Sequence, residues 1–343
     1  MATASTMPPA NELLTGLLKD VSRSFYLTLR ILPKSVRSQI GLAYLLARTT
    51  DTIADTEILP VEQRLVLLER LRDRISGSKM GTLDFAELIR NQGSSAERVL
   101  LEKVEASLSL LKNSAPRDQQ LIREVLETIT SGQCLDLRRF DGASRDHLVA
   151  LRTDEELDDY TYRVAGCVGE FWTKICVQNQ FSANFLNGKP ANQEQFEKLG
   201  VRFGKGLQLI NILRDLPVDL RQGRCYLPEE KLSASGIAIA DLLDPKNEPR
   251  LRPLYNELLD RAHAHLTAGW EYTNLIPRSQ MRVRLACAWP ILIGLKTIGL
   301  LRAGNVLDPQ QRIKINRREV RNLIVKSVVV YPLPAWRTLP ARL

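Results

Sequence analysis

An all-α fold is the class this sequence predicts, on three observations. Apolar residues recur at helical spacing through much of the chain, most clearly over 61–76, where Leu65, Leu68, Leu71 and Ile75 fall on one side. Glycine is sparse, at 19 residues, and alternating β-branched runs of the kind that mark half-buried strands are few. Twice, a pair of aspartates four residues apart, Asp51/Asp55 and Asp215/Asp219, is embedded in a helix-patterned apolar run.

In chain order, residues 1–10 are small and polar and read as a flexible N-terminus. Asn11 is placed to cap a first helix running towards Ser22. Leu32-Pro-Lys-Ser35 is a break, and the next helix ends near 56–60. After the amphipathic helix at 61–76, the two glycines of 76–83 make a loop. Residues 85–111 give one or two helices, Pro116 breaks them, and 118–136 forms another. Thr153-Asp-Glu-Glu156 has the pattern of a capping box and opens the helix that carries Tyr160. From there, Val164, Cys167 and Val168 fall on the Tyr160 face, while Gly166 and Gly169 let a bulky chain or another helix come close. Asn187-Gly-Lys-Pro190 is a turn, and 193–216 is the second aspartate helix. Pro217 should kink or end it, which leaves Asp219 on the last turn or just beyond. Residues 232–253 read as a loop with a short helical piece. The final long helices are 254–275 and 281–301, the latter interrupted or begun near Pro290. Residues 306–343 read as a basic run, then a proline-rich, non-helical tail.

The candidate chemistry lies in the two aspartate stripes. Tyr44, Arg48, Asp51 and Asp55 share one helical face, as do Gln208, Asn211, Asp215 and Asp219. Like charges at i, i+4 weaken a helix, so pairs kept among apolar neighbours call for a cation. Carboxylate oxygens suit Mg²⁺, which binds one or two carboxylates together with substrate phosphates. Taken alone, either pair is explained as well by a solvated acidic face. Two of them, each with basic or amide residues on the same stripe, favour metal ions gripping a diphosphate. Gly223 lets the backbone turn so that Arg224 can reach back to phosphate.

Four stretches, taken together, resemble the squalene/phytoene synthases, head-to-head prenyl transferases that join two polyprenyl diphosphates. They are Ser22-Arg-Ser-Phe25, Tyr44…Arg48…Asp51…Asp55, Tyr160-Thr-Tyr-Arg-Val-Ala-Gly166-Cys-Val-Gly169 and Asn211-Ile-Leu-Arg-Asp215…Asp219…Gly223-Arg224-Cys-Tyr-Leu-Pro228. The resemblance runs over about 14–301 and is strongest to bacterial squalene synthases. It implies one all-α domain over 11–305, a helical bundle of the isoprenoid-synthase type around a central cavity. It implies two farnesyl diphosphates as substrates and Mg²⁺ held by Asp51, Asp55, Asp215 and Asp219. By the same resemblance, Ser22, Arg23 and Phe25 contact a diphosphate, and Tyr44, Gln208 and Asn211 line the substrate. Arg48, Arg23, Arg214 and Arg224 neutralise departing pyrophosphate. Val164 and Val168 belong to an isoprenoid-lined wall, and Tyr160 acts in the chemistry, with Tyr162 as its stand-in if the register slips. Lys314 and Arg317 approximate a Lys-x-Arg element that contacts NADPH. The implied product is squalene, by way of presqualene diphosphate, with phytoene or dehydrosqualene as the non-reductive alternatives. The sequence departs from the family pattern at Val218, where a glutamate commonly precedes the second aspartate. A non-catalytic helical protein of membrane surfaces is the other reading, but such a relative would be expected to lose aspartates, and all four persist.

Composition excludes less. The net charge of +9 fits nucleic acid or anionic phosphates and membrane surfaces, and no nucleic-acid-binding signature accompanies it. The five cysteines are scattered and lack metal-ligand spacing, which is the pattern of reduced, buried thiols. His263 and His265, two apart, point to different sides of a helix and make no zinc pair. The N-terminus lacks a signal pattern, and Ala286-Cys-Ala-Trp-Pro-Ile-Leu-Ile-Gly-Leu295 is closed by Arg284 and Lys296. A cytoplasmic protein, peripheral at the inner face of the membrane and without a spanning anchor, is therefore expected.

Overall fold

Helical periodicity is realised almost throughout the chain. The computed structural model describes residues 12–22, 25–79, 81–181, 185, 192–311 and 313–342. The expectations for 1–10, Asn11, Arg23 and the turn at 187–190 concern residues outside that set. The chain divides into two compact units: Met1–Arg138 with Lys174–Ser182, and Arg139–Thr173 with Ala183–Leu343.

In the first unit a π-helical turn, Glu12–Leu17, leads into α1 (Leu18–Ser22), followed by α2 (Phe25–Ile31) and α3 (Lys34–Ala54). α3 starts after Pro33, whose lost N–H costs nothing at a helix entrance. It buries Val36, Ile40, Leu42, Leu45, Leu46 and Ile53. Arg64 Nη1 donates to the Ala54 carbonyl at 2.8 Å and so satisfies one of the acceptors the end of α3 leaves open. α4 (Val61–Ser76) has the predicted bounds, with Leu67, Leu68, Leu71 and Ile75 buried. Leu65, expected in that stripe, is half-buried and Leu67 takes its place. The region read as one or two helices holds three: α5 (Ala86–Asn91), α6 (Ser95–Glu102) and α7 (Val104–Lys112). The Ser94 hydroxyl accepts from Glu97 N and sets the start of α6. α8 (Pro116–Arg139) opens with proline at its first position. Its buried Asp118 accepts amide hydrogen bonds from Gln39 (3.0 Å), Gln178 (2.8 Å) and Asn179 (3.0 Å), tying α3 and the end of α10 (Cys167–Asn179) to it.

The second unit is built on α11 (Gln193–Asp219), which packs along α13 (Glu248–Leu275) and α14 (Met281–Ala303). The Thr153 hydroxyl accepts from Glu156 N at the start of α9 (Asp154–Thr161). Only half of the predicted capping box forms, because the Glu156 carboxylate takes the Arg152 N–H at 2.7 Å instead. A π-helical turn, Tyr162–Gly166, joins α9 to α10. Here the structure decides between the two roles left open for the glycines. A methyl group at Gly169 would sit 1.9 Å from the Gly200 carbonyl oxygen, and one at Gly204 would sit 2.0 Å from that of Ala165. Gly169 and Gly204 form a seam where α11 lies backbone to backbone against this segment.

One expectation about proline is corrected: Pro290 neither interrupts nor begins a helix, since α14 runs through it. Pro217 lies within α11, which ends two residues later with Asp219 on its last turn, one of the two places expected. A proline at 217 leaves the Leu213 carbonyl without its intrahelical donor, and Tyr255 Oη from α13 donates to that carbonyl at 2.8 Å. Both residues are buried, so this bond meets the requirement that would otherwise unwind the turn.

The only ladder among the described residues pairs β1 (Val149–Ala150) with β2 (Arg224–Cys225) in parallel. α12 (Glu229–Ala234) and two 3₁₀ turns lead into α13, which begins at Glu248, earlier than expected. By length and composition α14 could cross a bilayer, yet 67% of its most apolar window is buried, as in a core helix. The segment read as a tail contains a helix, α15 (Arg317–Val330), started by a capping box of Asn316 and Glu319. Trp289 Nε1 donates to Ser327 Oγ at 3.0 Å, and Trp336 Nε1 donates to Asn274 Oδ1 at 2.9 Å. The buried Arg284 lies over the rings of Tyr331 and Trp336, so the C-terminal segment is clamped onto α13 and α14.

Candidate active site

Asp51 and Asp55 stand at the C-terminal end of α3, Asp51 in its last turn and Asp55 as the residue that closes it. That turn carries no basic residue, and the helix dipole is negative there, so neither carboxylate stabilises the helix. Packed protein around Asp51, and then the Asp55 charge, push its carboxyl up to about 6, against Arg48 and Gln133, which pull it down. Asp51 still exposes 44% of its side chain, so repulsion by Asp55 is the firmer of the two causes. Gln133 Nε2, from α8, donates to Asp51 Oδ1 at 2.5 Å. Arg48 is only 3.8 Å from Asp51 and is bonded instead to Glu97 of α6. Burial draws the Arg48 guanidinium down, but Asp51, Glu97 and Tyr44 outweigh it and hold the group above its usual value.

The other predicted residues of this unit gather nearby. Phe25 stacks on Tyr44 with ring centres 5.2 Å apart, and Tyr44 Oη donates to the Val21 carbonyl at 3.4 Å. Ser22 is buried and its hydroxyl has no hydrogen-bond partner among the described residues; the same holds for Arg48 Nε and Gln133 Oε1.

The second pair also ends its helix. Asp219 is the last residue of α11, Asp215 lies one turn earlier, and the last turn again has no basic residue. Arg214 grips its neighbour in a two-pronged bond, Nε to Oδ1 at 2.8 Å and Nη2 to Oδ2 at 2.5 Å. That bond, with the Asp215 and Asp219 charges, outweighs burial and raises the Arg214 guanidinium. Asn211 Nδ2 donates to Gln208 Oε1 at 3.4 Å on the same stripe. Val218, where the family pattern has a ligand, points into solvent. Gly223 adopts φ 85°, and a methyl group there would lie 2.3 Å from Ser144 N, so only glycine turns the chain into β2 and sets Arg224 where it is.

Tyr160, on α9, stacks on Tyr226 with ring centres 4.7 Å apart, and Tyr226 meets Phe140 edge-on at 5.1 Å. The π-helical turn rotates Val164 and the start of α10 away from a regular register. Val164 is half-buried and Val168 exposed. Tyr162 is engaged elsewhere: its hydroxyl donates to Glu170 Oε2 at 3.1 Å, and burial, then Glu170, push it up to about 12.

Among the described residues no three His, Cys, Asp or Glu side chains are grouped to hold a metal unaided. The donor set fits Mg²⁺ shared with a diphosphate: hard oxygen donors, two per helix end, with no basic residue in either last turn. Lys314 and Arg317 are both exposed at the start of α15. Two solvated cations fit a phosphate contact and supply no ring recognition. Sequence reasoning missed Gln133, Glu97, Tyr226 and Phe140. The first two act across 82 and 49 residues of chain, where no spacing rule reaches. An aromatic next to Arg224-Cys225 was the one signal for Tyr226.

The sequence profile of the family described as Squalene/phytoene synthase matches residues 18–319. Squalene synthase of Saccharomyces cerevisiae is 27% identical over 314 residues, 91% of this chain and 66% of that protein. The chain thus spans just under two thirds of the yeast enzyme's length. Presqualene diphosphate synthase of Rhodopseudomonas palustris is 27% identical over 315 residues, 90% of this chain and 93% of that protein. A solved ligand complex of the protein denoted TcSQS superposes with a TM-score of 0.76 at 21% identity, covering 98% of this chain and 92% of that one. At that identity the superposition establishes a shared all-α fold.

Proposed function

The chain belongs to the squalene/phytoene synthase family, and from that premise we propose that it is a Mg²⁺-dependent prenyl transferase that condenses two farnesyl diphosphates head to head, by way of presqualene diphosphate, to squalene. One observation carries the proposal: two separate helices each end in an i, i+4 aspartate pair where the helix dipole opposes them. Bound Mg²⁺ would supply positive charge that holds the diphosphates and stabilises them as they depart.

The residues of the chain do the rest. Asp51, Asp55, Asp215 and Asp219 supply oxygen ligands. Arginines beside each pair, Arg48 for the first and Arg214 with Arg224 for the second, neutralise the diphosphate held there; the bond from the departing diphosphate to carbon 1 of its substrate breaks, the diphosphate taking the electron pair. Arg214 must turn from Asp215 to do so, which exposes that carboxylate to metal in the same movement. The allylic cation is attacked by the double bond of the second substrate. Loss of one proton closes a three-membered ring, leaving presqualene diphosphate and one pyrophosphate. Tyr160, in an aromatic group with Tyr226 and Phe140, would stabilise positive charge with its ring and pass on the proton. Reduction to squalene needs NADPH, for which the exposed Lys314 and Arg317 offer a phosphate contact only.

Incubation with farnesyl diphosphate, with and without Mg²⁺ and NADPH, tests this. The expected result is Mg²⁺-dependent pyrophosphate release, with presqualene diphosphate lacking NADPH and squalene with it, identified by mass spectrometry. Absence of pyrophosphate release from any C15 or C20 donor would overturn it. Phytoene from the C20 donor alone, or dehydrosqualene, would move the chain to the non-reductive branch of the family.

A further inference from the structure

The last helix carries a surface that the chemistry above does not use. α15 turns Val320, Leu323, Ile324, Ser327 and Val330 inward to varying depth, with Ser327 fully buried under Trp289. A solvated outer face would carry polar residues and good helix formers. Instead Val325 is 62% exposed, Val329 63%, Val328 39%, and Leu333 just past the helix 48%. Among the described residues ten large hydrophobic side chains are exposed, and these four lie between positions 325 and 333. Valine is a weak helix former, so a row of three in water contributes nothing to the helix itself. Something apolar must cover it for the row to be favourable.

Charge says what kind of cover. Arg317, Arg318, Arg321 and Lys326 are exposed on the same helix. None of them is ion-paired to an acid among the described residues, and the one acid of α15, Glu319, closes the capping box with Asn316. The outer stripe therefore runs from cationic (Arg318, Arg321) to apolar (Val325, Val328, Val329, Leu333), on a chain of net charge +9. A second copy of this face would bring the same cations with it. A surface that is anionic in front and apolar beneath matches both halves.

We propose that the outer face of α15 docks the protein on an anionic lipid bilayer. Val325, Val328, Val329 and Leu333 enter the acyl boundary, and Arg318, Arg321 and Lys326 meet the headgroup phosphates. This is attachment in the plane of the interface, with α14 remaining in the protein core. It stands independently of the catalytic reading.

The test is flotation of the full chain with vesicles of phosphatidylcholine, with and without phosphatidylglycerol, at low and high salt. Binding to the anionic vesicles, reduced by salt, is expected. Arg318→Gln with Arg321→Gln should weaken it about thirtyfold, from about fivefold per cation. Val325→Ser with Val329→Ser should weaken it about tenfold or more. All four positions are exposed, so circular dichroism and vesicle-free pyrophosphate release should stay at wild-type level in both variants. Equal binding by wild type and a variant that combines all four substitutions would overturn the proposal. So would failure of the wild type to float with anionic vesicles, or light scattering that shows this face pairing two copies.

Discussion

The two aspartate pairs share a design and differ in how each is held. Both close a long helix, both lack a basic residue in the last turn, and both have an arginine within one turn. In the first, the arginine is drawn off: Arg48 bonds Glu97, and Asp51 is left with an amide from Gln133 and a repelling neighbour in Asp55. In the second, Arg214 is committed in a two-pronged bond to Asp215. The guanidinium beside the first pair is thus shared with a glutamate, whereas that beside the second is committed to its aspartate. The backbone differs in the same sense. α3 ends on an arginine donated from the next helix, while α11 is carried through Pro217 by a tyrosine hydroxyl. A sequence motif repeated twice can therefore make two sites of unequal readiness.

The largest expected effect breaks either pair outright. Asp51→Asn or Asp215→Asn should lower turnover about a hundredfold or more, by removing a ligand for charge that develops as the diphosphate leaves. The far-ultraviolet circular dichroism should not change. Near-wild-type turnover in either variant would remove that pair from the site.

Next comes the support of the second pair. Tyr255→Phe leaves the Leu213 carbonyl buried without a donor, at a cost of about 1–3 kcal/mol in urea unfolding. An unchanged midpoint would mean that α11 tolerates Pro217 unaided.

Glu97→Gln sharpens the contrast from the other side. The Glu97 charge raises Asp51 and holds Arg48, so its removal should lower Asp51 from about 6 and free Arg48 towards it. The acidic limb of the pH–rate profile should move down by less than about one pH unit. The same substitution has no counterpart in the second pair.

The smallest effect is on stability. Asp51 titrates near 6 in the folded protein against 3.8 when unperturbed, so its contribution is fully present below about 4 and lost as pH rises through 6. In metal-free buffer at pH 8, Asp51→Asn should therefore melt slightly above wild type. With 44% of the side chain exposed, screening keeps the gain under about 1 kcal/mol. The gain should vanish at pH 4.

Periodicity made the helices legible: α4 has the bounds its apolar spacing implied, and the aspartate stripes are on helices as expected. Irregular backbone was not legible. The π-helical turn at Tyr162–Gly166 obeys no spacing rule, and a 3.6-residue repeat does not describe the backbone there. Pro290 was read by a local rule that α14, running through it, does not follow. α15 was missed because its basic start and the prolines beyond it masked a helix whose stability comes from packing under Trp289. At the candidate site, Asp51, Asp55, Asp215, Asp219 and their arginines were visible because they lie one turn apart. Gln133 and Glu97 were not, because what they do is decided by packing between helices distant in sequence.

The central claim is that each carboxylate pair holds Mg²⁺ together with a diphosphate. Calorimetric titration with an unreactive farnesyl thiodiphosphate, with Mg²⁺ and with chelator, measures it most directly. Binding that requires Mg²⁺, and that weakens about tenfold or more in both Asp51→Asn and Asp215→Asn, is the predicted result. Equal affinity in chelator, or affinity unaffected by either substitution, would contradict it.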